Sequence, residues 1–257
     1  DHLFDFGTFV DDLLLDESAD ADMYTDFIDS LFNCASTPFF WGGNTDNWGW
    51  YSSEQTRQTY KDMARWLDTH NLPAKGHVLL TPGWEHMPSF VETRKYDPVE
   101  LNDALMSHLY EIVRQGSGFG IRQWDVTSEP FEHHDVMDVL GDQVIAEWFY
   151  YVHNQAPSAR LFLNEKDVIA FDGNDRIEQN LKNLIDMLQE LDAPIDGIAL
   201  QCNFGPVLTD IPQVLSILDR LAETGLPVQI VNFNVDIDDE ELQARYTRDF
   251  MTAVFSH

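Results

Sequence analysis

The chain has 257 residues, of which 44% are hydrophobic and 12% aromatic, so it can bury one barrel or two ordinary domains and is not expected to be disordered. Its formal net charge of −30 would repel both nucleic acid phosphates and anionic lipid headgroups, which argues against both as partners. No run of about 18 apolar residues occurs, and the first residues are not a basic-then-apolar leader. We therefore expect neither a membrane span nor an uncleaved signal peptide, which leaves the mature form of a secreted protein as one alternative.

Apolar segments alternate with amphipathic helical segments from one end of the chain to the other. Most of the apolar segments are continuous, which is typical of strands that are covered on both faces of a parallel sheet. The predicted strands lie within 4–10, part of 32–41, 77–81, 121–127, 160–164, 195–202 and 227–233.

The helices between these strands have recognisable ends. The segment SSEQ at 52–55 offers a capping box for a helix that runs to about His70. The segment DPVE at 97–100 offers an N-cap and a proline in the first turn, with Gly116 as the predicted stop. Three further helices are predicted over 174–191, 210–223 and 238–255. No linker rich in Pro, Gly or Ser divides the seven βα units, so we predict one domain over 1–257.

A continuous βα series of this length predicts an α/β protein of the TIM (β/α)8 barrel type, with an open doubly wound sheet as the alternative. The sequence stops after the seventh helix, so the eighth strand is absent from this chain. Unpaired edges on the first and seventh strands would be an aggregation hazard. We therefore expect further segments or another chain to complete the barrel.

The charge is unevenly distributed. Aspartate accounts for 30 of the acidic residues, only five residues are Lys, and no Lys or Arg precedes Arg57. This pattern suits a protein from a high-salt or marine habitat, and an ordinary acidic surface is the alternative. The acidic segments 172–175 and 236–241 do not follow EF-hand spacing, so we interpret them as solvated loops and not as calcium sites. Cys34 and Cys202 lie in apolar segments and are predicted to be core residues, and no Asn-x-Ser/Thr sequon occurs.

Polar residues follow several of the predicted strands, where a barrel carries its chemistry. They include His77, Glu129 and the amides Asn164, Gln201 and Asn203. Aromatic residues are concentrated in the early loops, namely Phe39, Phe40, Trp41, Trp48, Trp50, Tyr51 and Trp84. Sugars stack on aromatic faces and pair their hydroxyls with amides, so the whole set favours a carbohydrate pocket over ordinary barrel packing.

Several segments, in order and spacing, resemble glycoside hydrolase family 10, the xylanase family of (β/α)8 barrels. They are GHVLLTPGWEHMPSF, WDVTSEP, ARLFLNE, IDGIALQCNF, LPVQIVNFNVD and QARYTRDFMTAVFSH. The resemblance covers nearly the whole chain. It implies a retaining β-1,4-glycanase, in which one Glu is the acid/base and a second Glu is the nucleophile.

The residues at these positions depart from the family pattern. Glu129 matches the acid/base, but the nucleophile position holds Asn232 and the residue before Glu129 is Ser128 where the family usually has Asn. The His and Asp that usually support the nucleophile are replaced by Asn203 and Asn234. The resemblance therefore implies Glu129 at the acid/base position, a degenerate nucleophile position at Asn232, and a substrate-binding set of Trp41, His77, Trp84, Ser128, Asn164, Gln201, Asn203 and Asn234.

We predict from these departures a family 10-like domain that is inactive or strongly impaired and acts as an extracellular or cell-surface module that binds a β-linked polysaccharide or oligosaccharide. The first alternative is an active xylanase-like hydrolase that uses Glu129 as acid/base with a non-standard mechanism, in which Asn232 or an acid such as Glu165 steers water or a group of the substrate. The second is an assembly or scaffold protein. No cofactor is expected. His86, His133 and His134 lack a convincing ligand spacing, so no metal site is expected and we interpret them as solvated loop residues.

Overall fold

The computed structural model describes residues 4–42, 49–170 and 175–257, and within these ranges seven strands alternate with nine α-helices. The strands are β1 Gly7–Phe9, β2 Cys34–Pro38, β3 Ala74–His77, β4 Ile121–Ser128, β5 Arg160–Glu165, β6 Gly197–Phe204 and β7 Val228–Val235. The helices are α1 Ala19–Leu31, α2 Glu54–Thr69, α3 Ser89–Glu92, α4 Pro98–Gly118, α5 Asp135–Leu140, α6 Val144–Gln155, α7 Asp175–Glu190, α8 Ile211–Ala222 and α9 Glu240–Ser256. Short 3-10 helices cover Asp12–Leu15 and Trp84–His86.

The strands form one seven-stranded sheet in which their order is the order of the chain. The pairs β1–β2, β2–β3, β3–β4 and β6–β7 are parallel. Parallel neighbours need a crossover between them, and the helices supply it. A doubly wound sheet would reverse its strand order at a switch point, so the observed order confirms the barrel-type βα succession and excludes the alternative.

The packing divides the chain into two compact units. The first unit comprises Asp1–Phe162 with Ala193–Ile195, and the second comprises Leu163–Asp192 with Asp196–His257. β1 to β4 lie in the first unit, whereas β6 and β7 lie in the second. The interpretation of the chain as a single domain stays a prediction.

The core of the first unit is built around Trp124 of β4, which is fully buried. A Cβ atom at Gly76 of β3 or at Gly116 of α4 would overlap the Trp124 indole ring. Phe39 meets the same indole edge-on, with ring centroids 5.1 Å apart. The two glycines therefore provide the space that lets a strand, an indole and a helix pack together.

The core of the second unit contains an aromatic group on β6, β7 and α9. Phe204 meets Tyr246 and Phe250 edge-on at centroid distances of 5.1 and 5.4 Å, and Phe233 stacks on Phe250 at 4.8 Å. Most of β7 is nevertheless half-buried or exposed. The Tyr246 hydroxyl donates to the carbonyl of Thr209 at 2.8 Å, which ties α9 to the segment before α8.

Two predicted element boundaries were wrong because contacts between residues distant in the sequence determine the residues there. The third strand was placed at 77–81, but β3 is Ala74–His77, because Lys75 is buried beside a carboxylate that the local sequence does not show. Gly116 was expected to end α4, which continues to Gly118. Gly116 is present for its contact with Trp124 and not as a helix stop. The helices α1 and α6 were not identified from the sequence.

Other expectations have mixed outcomes. The N-caps at Ser53 and Asp97 are present, and Cys202 is buried whereas Cys34 is half-buried. In the acidic segment 236–241, Asp239 accepts a hydrogen bond from the Leu242 backbone and caps α9. Trp48 and residues 172–174 lie outside the described residues. Among the described helices, none is long and apolar enough to cross a membrane.

The Trp124 packing predicts a strong difference between two glycines. Gly76→Ala should lower the free energy of unfolding by about 1–3 kcal/mol, because the added methyl group overlaps a fully buried indole. Gly118→Ala is the matched control. Apart from the adjacent residues and the backbone of α4, no atom lies within 4 Å of the Cβ position at Gly118. Gly118→Ala should therefore leave the free energy of unfolding unchanged or raise it by about 0.5–1 kcal/mol, because Ala favours a helix more than Gly does. Urea denaturation of both variants is the measurement, and equal stabilities would contradict the packing argument.

Candidate functional site

Glu129 lies directly after β4, whose last five residues are buried. Its backbone adopts φ 55°, a left-handed conformation that costs energy for a residue with a Cβ atom. Its carboxyl side chain is 18% exposed. The end of β4 therefore holds this carboxylate in a strained backbone position with limited access to solvent.

A buried charged group lies beneath the strand ends of the first unit. Asp125 is 1% exposed and contacts Lys75 Nζ at 2.6 Å and His77 Nδ1 at 2.8 Å. Burial alone would raise the pKa of Asp125, but the Lys75 ammonium and the His77 ring together lower it. Burial lowers the pKa of Lys75. Asp125 therefore forms its contacts in the interior, and local sequence patterns do not show its partner Lys75.

His77 links this buried group to the surface. Its ring is held by Asp125, and its side chain is 12% exposed. The rings of Phe9 and Phe40 meet it edge-on, at centroid distances of 6.3 and 5.5 Å. His77 and Phe40 therefore combine a polar ring and a partly exposed aromatic ring, which is the combination that sugar recognition uses.

The aromatic residues predicted for the early loops divide into two groups. Phe39, Trp41 and Trp50 are at most 3% exposed and belong to the core. Glu111 of α4 accepts hydrogen bonds from Trp50 Nε1 and the Tyr51 hydroxyl, both at 2.9 Å, which satisfies these polar atoms. Phe40, Tyr51 and Trp84 are half-buried.

Trp41 offers little surface for a sugar. Its indole stacks on His108 with ring centroids 3.9 Å apart. Trp41 is also one of the residues that line a surface pocket of about 390 Å³ beside α4. His108 is 1% exposed, and burial lowers its pKa to about 3. His108 Nε2 lies 2.9 Å from the Leu79 carbonyl and must donate to it, so the ring is neutral with its proton on Nε2. Ser128 is also buried, at 2% exposure.

The loops that follow β3 and β4 bring two histidines and two carboxylates together. His86 Nε2 lies 3.2 Å from His133 Nε2, and His133 Nδ1 lies 3.0 Å from Glu85 Oε1. Glu129 Oε2 is 3.5 Å from His133 Nε2. The hydrogen bond to Glu129 raises the pKa of His133. The pKa of Glu85 is lowered by a hydrogen bond from its own backbone and by the two imidazoles.

The interpretation of His133 as a solvated loop residue was wrong. Its side chain is only 10% exposed, because the turn after β4 folds it back towards Glu129 and the β3 loop. His134, by contrast, is 42% exposed and contacts Asp138 and Asp142, as a loop histidine would. No spacing within the sequence joins residues 85 and 133, so this group was missed.

The second unit carries a connected set of amides at its strand ends. Gln201 Nε2 donates to Asn164 Oδ1 at 2.9 Å, and Asn203 Nδ2 donates to Gln201 Oε1 at 3.5 Å. Asn234 is the parallel register partner of Asn203. Asn164 and Gln201 are buried, whereas Asn203 and Asn234 are exposed. The set therefore runs from the interior to the surface, and hydrogen bonds connect Asn164, Gln201 and Asn203.

Asn232 and Glu165 have contrasting surroundings in the same unit. Asn232 is exposed on β7 and has φ 49°, a left-handed conformation that Asn tolerates better than most residues. Glu165 is 2% exposed, and its Oε1 accepts a hydrogen bond from the Lys166 backbone at 2.9 Å. Glu165 is thus buried in the interior of its unit.

The sequence model of the family described as glycosyl hydrolase family 10 matches residues 4–256. The chain belongs to glycosyl hydrolase family 10. It is 26% identical over 237 residues to endo-1,4-beta-xylanase 1 of Arabidopsis thaliana, and the match covers 90% of this chain and 24% of that protein. It is 24% identical over 261 residues to the anti-sigma-I factor RsgI6 of Acetivibrio thermocellus, covering 100% of this chain and 32% of that protein.

The fold of this family 10 chain agrees with a solved structure. An intracellular xylanase from Thermoanaerobacterium saccharolyticum matches with a TM-score of 0.76 and 20% identity, covering 97% of this chain and 81% of that chain. The predicted family and the TIM-barrel fold, with the seven strands present here, are confirmed. The chain spans about a quarter to a third of the length of the curated relatives named above.

The buried charges predict a non-additive effect on stability. Asp125→Asn removes the carboxylate that Lys75 contacts while it leaves an oxygen for His77, and it should cost about 3–5 kcal/mol. Adding Lys75→Met to this variant should recover most of the loss, because the buried ammonium is removed. A double-mutant cycle by urea denaturation measures the coupling, and additive losses would contradict it.

His108 predicts a pH dependence of stability. Its pKa is about 3 in the folded state and about 6.5 when unfolded, so below pH 6.5 only the unfolded chain takes up this proton. Its contribution should be constant above about pH 6.5 and fall by about 1.4 kcal/mol per pH unit between pH 6 and 3. The comparison is with His108→Gln, which keeps a donor for Leu79. The wild-type slope should exceed that of the variant by one proton, and equal slopes would show that His108 does not contribute.

Proposed function

We propose that this family 10 chain binds a β-linked polysaccharide or oligosaccharide and has lost all or nearly all glycoside hydrolase activity. The observation that carries the proposal is the amide at Asn232, the position that the family resemblance assigns to the nucleophile. A retaining mechanism needs a carboxylate there to form the glycosyl-enzyme bond. A neutral amide does not provide it.

The residues around this position support a loss that is compensated structurally. Asn203 and Asn234 stand where the family usually has His and Asp, and they are register partners on β6 and β7. Asn203 is linked through Gln201 to Asn164. Amides donate and accept hydrogen bonds without carrying a charge, so they can connect to one another but cannot tune a nucleophile as a His and an Asp do.

The same amides support the binding of sugars. Asn203 and Asn234 are exposed, and each side chain offers both a donor and an acceptor to neighbouring hydroxyls. In the first unit, His77 with Phe40 supplies a ring edge and a partly exposed aromatic surface, and half-buried Trp84 supplies a second. Because the β-linked polysaccharides of cell walls lie outside the cell membrane, export to the medium or cell surface belongs to the proposal.

The alternative is an active hydrolase with a rearranged mechanism, and the strained backbone at Glu129 favours it. Left-handed backbone at a non-glycine residue persists where the surrounding structure enforces it, and such positions are concentrated at functional sites. Glu129 would protonate the leaving oxygen, and water or a substrate group would replace the nucleophile. This arrangement would resemble inverting or substrate-assisted hydrolysis.

Assays with xylo-oligosaccharides and aryl glycosides at high protein concentration separate these functions. The proposal predicts turnover lower by about 10⁴–10⁶ than that of a family member with both carboxylates, equivalent to about 5–8 kcal/mol of transition-state stabilisation. Asn232→Glu should restore only part of the rate, and adding Asn203→His and Asn234→Asp should restore more. Asn232→Gln is the matched control and should stay inactive. Wild-type turnover that disappears in Glu129→Gln would overturn the proposal in favour of the hydrolase.

Calorimetric titration with soluble β-glycans tests the binding function. Asn234→Ala should weaken binding about tenfold, which corresponds to about 1.4 kcal/mol for the loss of its hydrogen bonds to a hydroxyl. Asn183→Ala is the control, since Asn183 is an exposed amide on α7 whose Oδ1 accepts a hydrogen bond from Gln179. The absence of binding to every β-glycan tested would overturn the proposal and favour the assembly function.

A further inference from the structure

The loops after β3 and β4 contain a side-chain group that the glycosidase resemblance does not use. Glu85 and His86 lie in the 3-10 helix after β3, and His133 lies in the turn that follows Glu129. The His133 backbone N–H donates to the Glu129 carbonyl at 3.0 Å, so one helical turn places both side chains on the same side. Residues distant in sequence thus present imidazole and carboxylate atoms to one another.

Hydrogen bonds between the two loops hold the group in place. The Trp84 backbone N–H donates to Asp135 Oδ2 at 2.9 Å, and the Val136 backbone N–H donates to the Pro82 carbonyl at 3.1 Å. A Cβ atom at Gly83 would lie 3.0 Å from His133 Nδ1, so a glycine permits the imidazole to approach this backbone closely. The arrangement is therefore supported by the backbone on both sides.

Two distances from His133 Nε2 match those between ligands of one metal ion. Two ligand atoms bound to tetrahedral zinc at about 2.0–2.1 Å are separated by about 3.3 Å. His86 Nε2 and His133 Nε2 are 3.2 Å apart, and Glu129 Oε2 is 3.5 Å from His133 Nε2. The imidazole planes meet at 79°, so the two rings approach from different directions.

Glu85 completes the arrangement from the opposite side of His133. Its Oε1 lies 3.0 Å from His133 Nδ1 and can accept the proton that this nitrogen carries. A carboxylate that accepts from the distal nitrogen of a histidine fixes the tautomer in which the other nitrogen binds metal. Glu85, His86 and His133 also form a group whose ligand atoms all lie within 4.8 Å of one another.

We propose that His86, His133 and Glu129 bind one divalent transition-metal ion of the zinc class, with Glu85 as the carboxylate that orients His133. The imidazole nitrogens favour zinc over calcium and magnesium, which prefer oxygen ligands. Two histidines and one carboxylate leave a coordination position open for water, as in zinc sites of that composition. Metal binding occupies the Glu129 carboxylate, so a chain with bound zinc has no free acid/base at this position. This proposal does not depend on the binding of glycans.

Calorimetric titration of the chelator-treated protein with Zn²⁺ tests the proposal. An excess of Mg²⁺ in the buffer occupies surface carboxylates, which are numerous at a net charge of −30. We expect one zinc ion per chain, with affinity at least 100-fold weaker in His86→Ala and in His133→Ala. Glu85→Gln should weaken binding by about 10–100-fold, the effect of losing an orienting partner.

His134→Ala is the matched control, because His134 follows His133 directly but contacts Asp138 and Asp142 instead. Its zinc affinity should equal that of the wild type. Circular dichroism and thermal melting verify that each variant is folded. If His86→Ala is not folded, His86→Gln replaces it. Zinc binding that is unchanged in the His86 and His133 variants, or is lost equally in His134→Ala, would overturn the proposal.

Cobalt provides a second readout that does not depend on the variants. Co²⁺ bound by two imidazoles and a carboxylate in tetrahedral geometry gives intense visible absorption, whereas octahedral Co²⁺ on surface carboxylates is pale. We expect the intense spectrum in the wild type and its removal by one equivalent of Zn²⁺. A pale spectrum throughout the titration would contradict a site built by His86, His133 and Glu129.

Discussion

The burial of one charge organises the strand ends of the first unit. Asp125 is enclosed within β4, and a carboxylate in the interior is stable only if nearby groups compensate it. Lys75 and His77 flank Gly76 in β3, and both side chains contact the Asp125 carboxylate. Their contacts connect β3 to β4 and set the ring of His77 against Phe40, and Glu129 follows the end of β4, four residues after Asp125. The loops that carry Glu85 and His133 begin from these two strand ends, so their positions also depend on this pairing.

Neutral polar groups lie at strand ends of the second unit. Asn164 and Gln201 are buried amides that hydrogen-bond to one another, and Asn203 extends the series to the surface. These amides need no counter-charge, unlike the carboxylate of Glu165, which is also buried in this unit. In a chain with a net charge of −30, the two positions on β7 that the family resemblance assigns to the nucleophile and its supporting Asp hold the amides Asn232 and Asn234.

Glu129 belongs to two proposed sites, the glycosidase-type site and the metal site. Its strained backbone and limited exposure are features of a functional carboxylate. Its neighbour His133 is an ion-pair partner, and in the proposed metal site the two side chains are ligands of the same ion. A carboxylate that serves as a glycosidase acid must be free to carry and release a proton. The His133 imidazole beside it is the basis of the proposed second role, which involves only residues of the first unit.

The sequence by itself determined the family, the βα succession and most element positions, because continuous apolar strands, helix caps and ordered motifs are local patterns. It also identified Glu129, Asn232 and the amides, since each occupies a position in a motif. Tertiary structure alone decided the burial of Lys75, the purpose of Gly116, the enclosure of Trp41 by His108 and the group formed by Glu85, His86 and His133. These depend on contacts between residues far apart in the chain. A lysine beside a distant aspartate, or a histidine brought to another across two loops, has no signature in local periodicity or spacing.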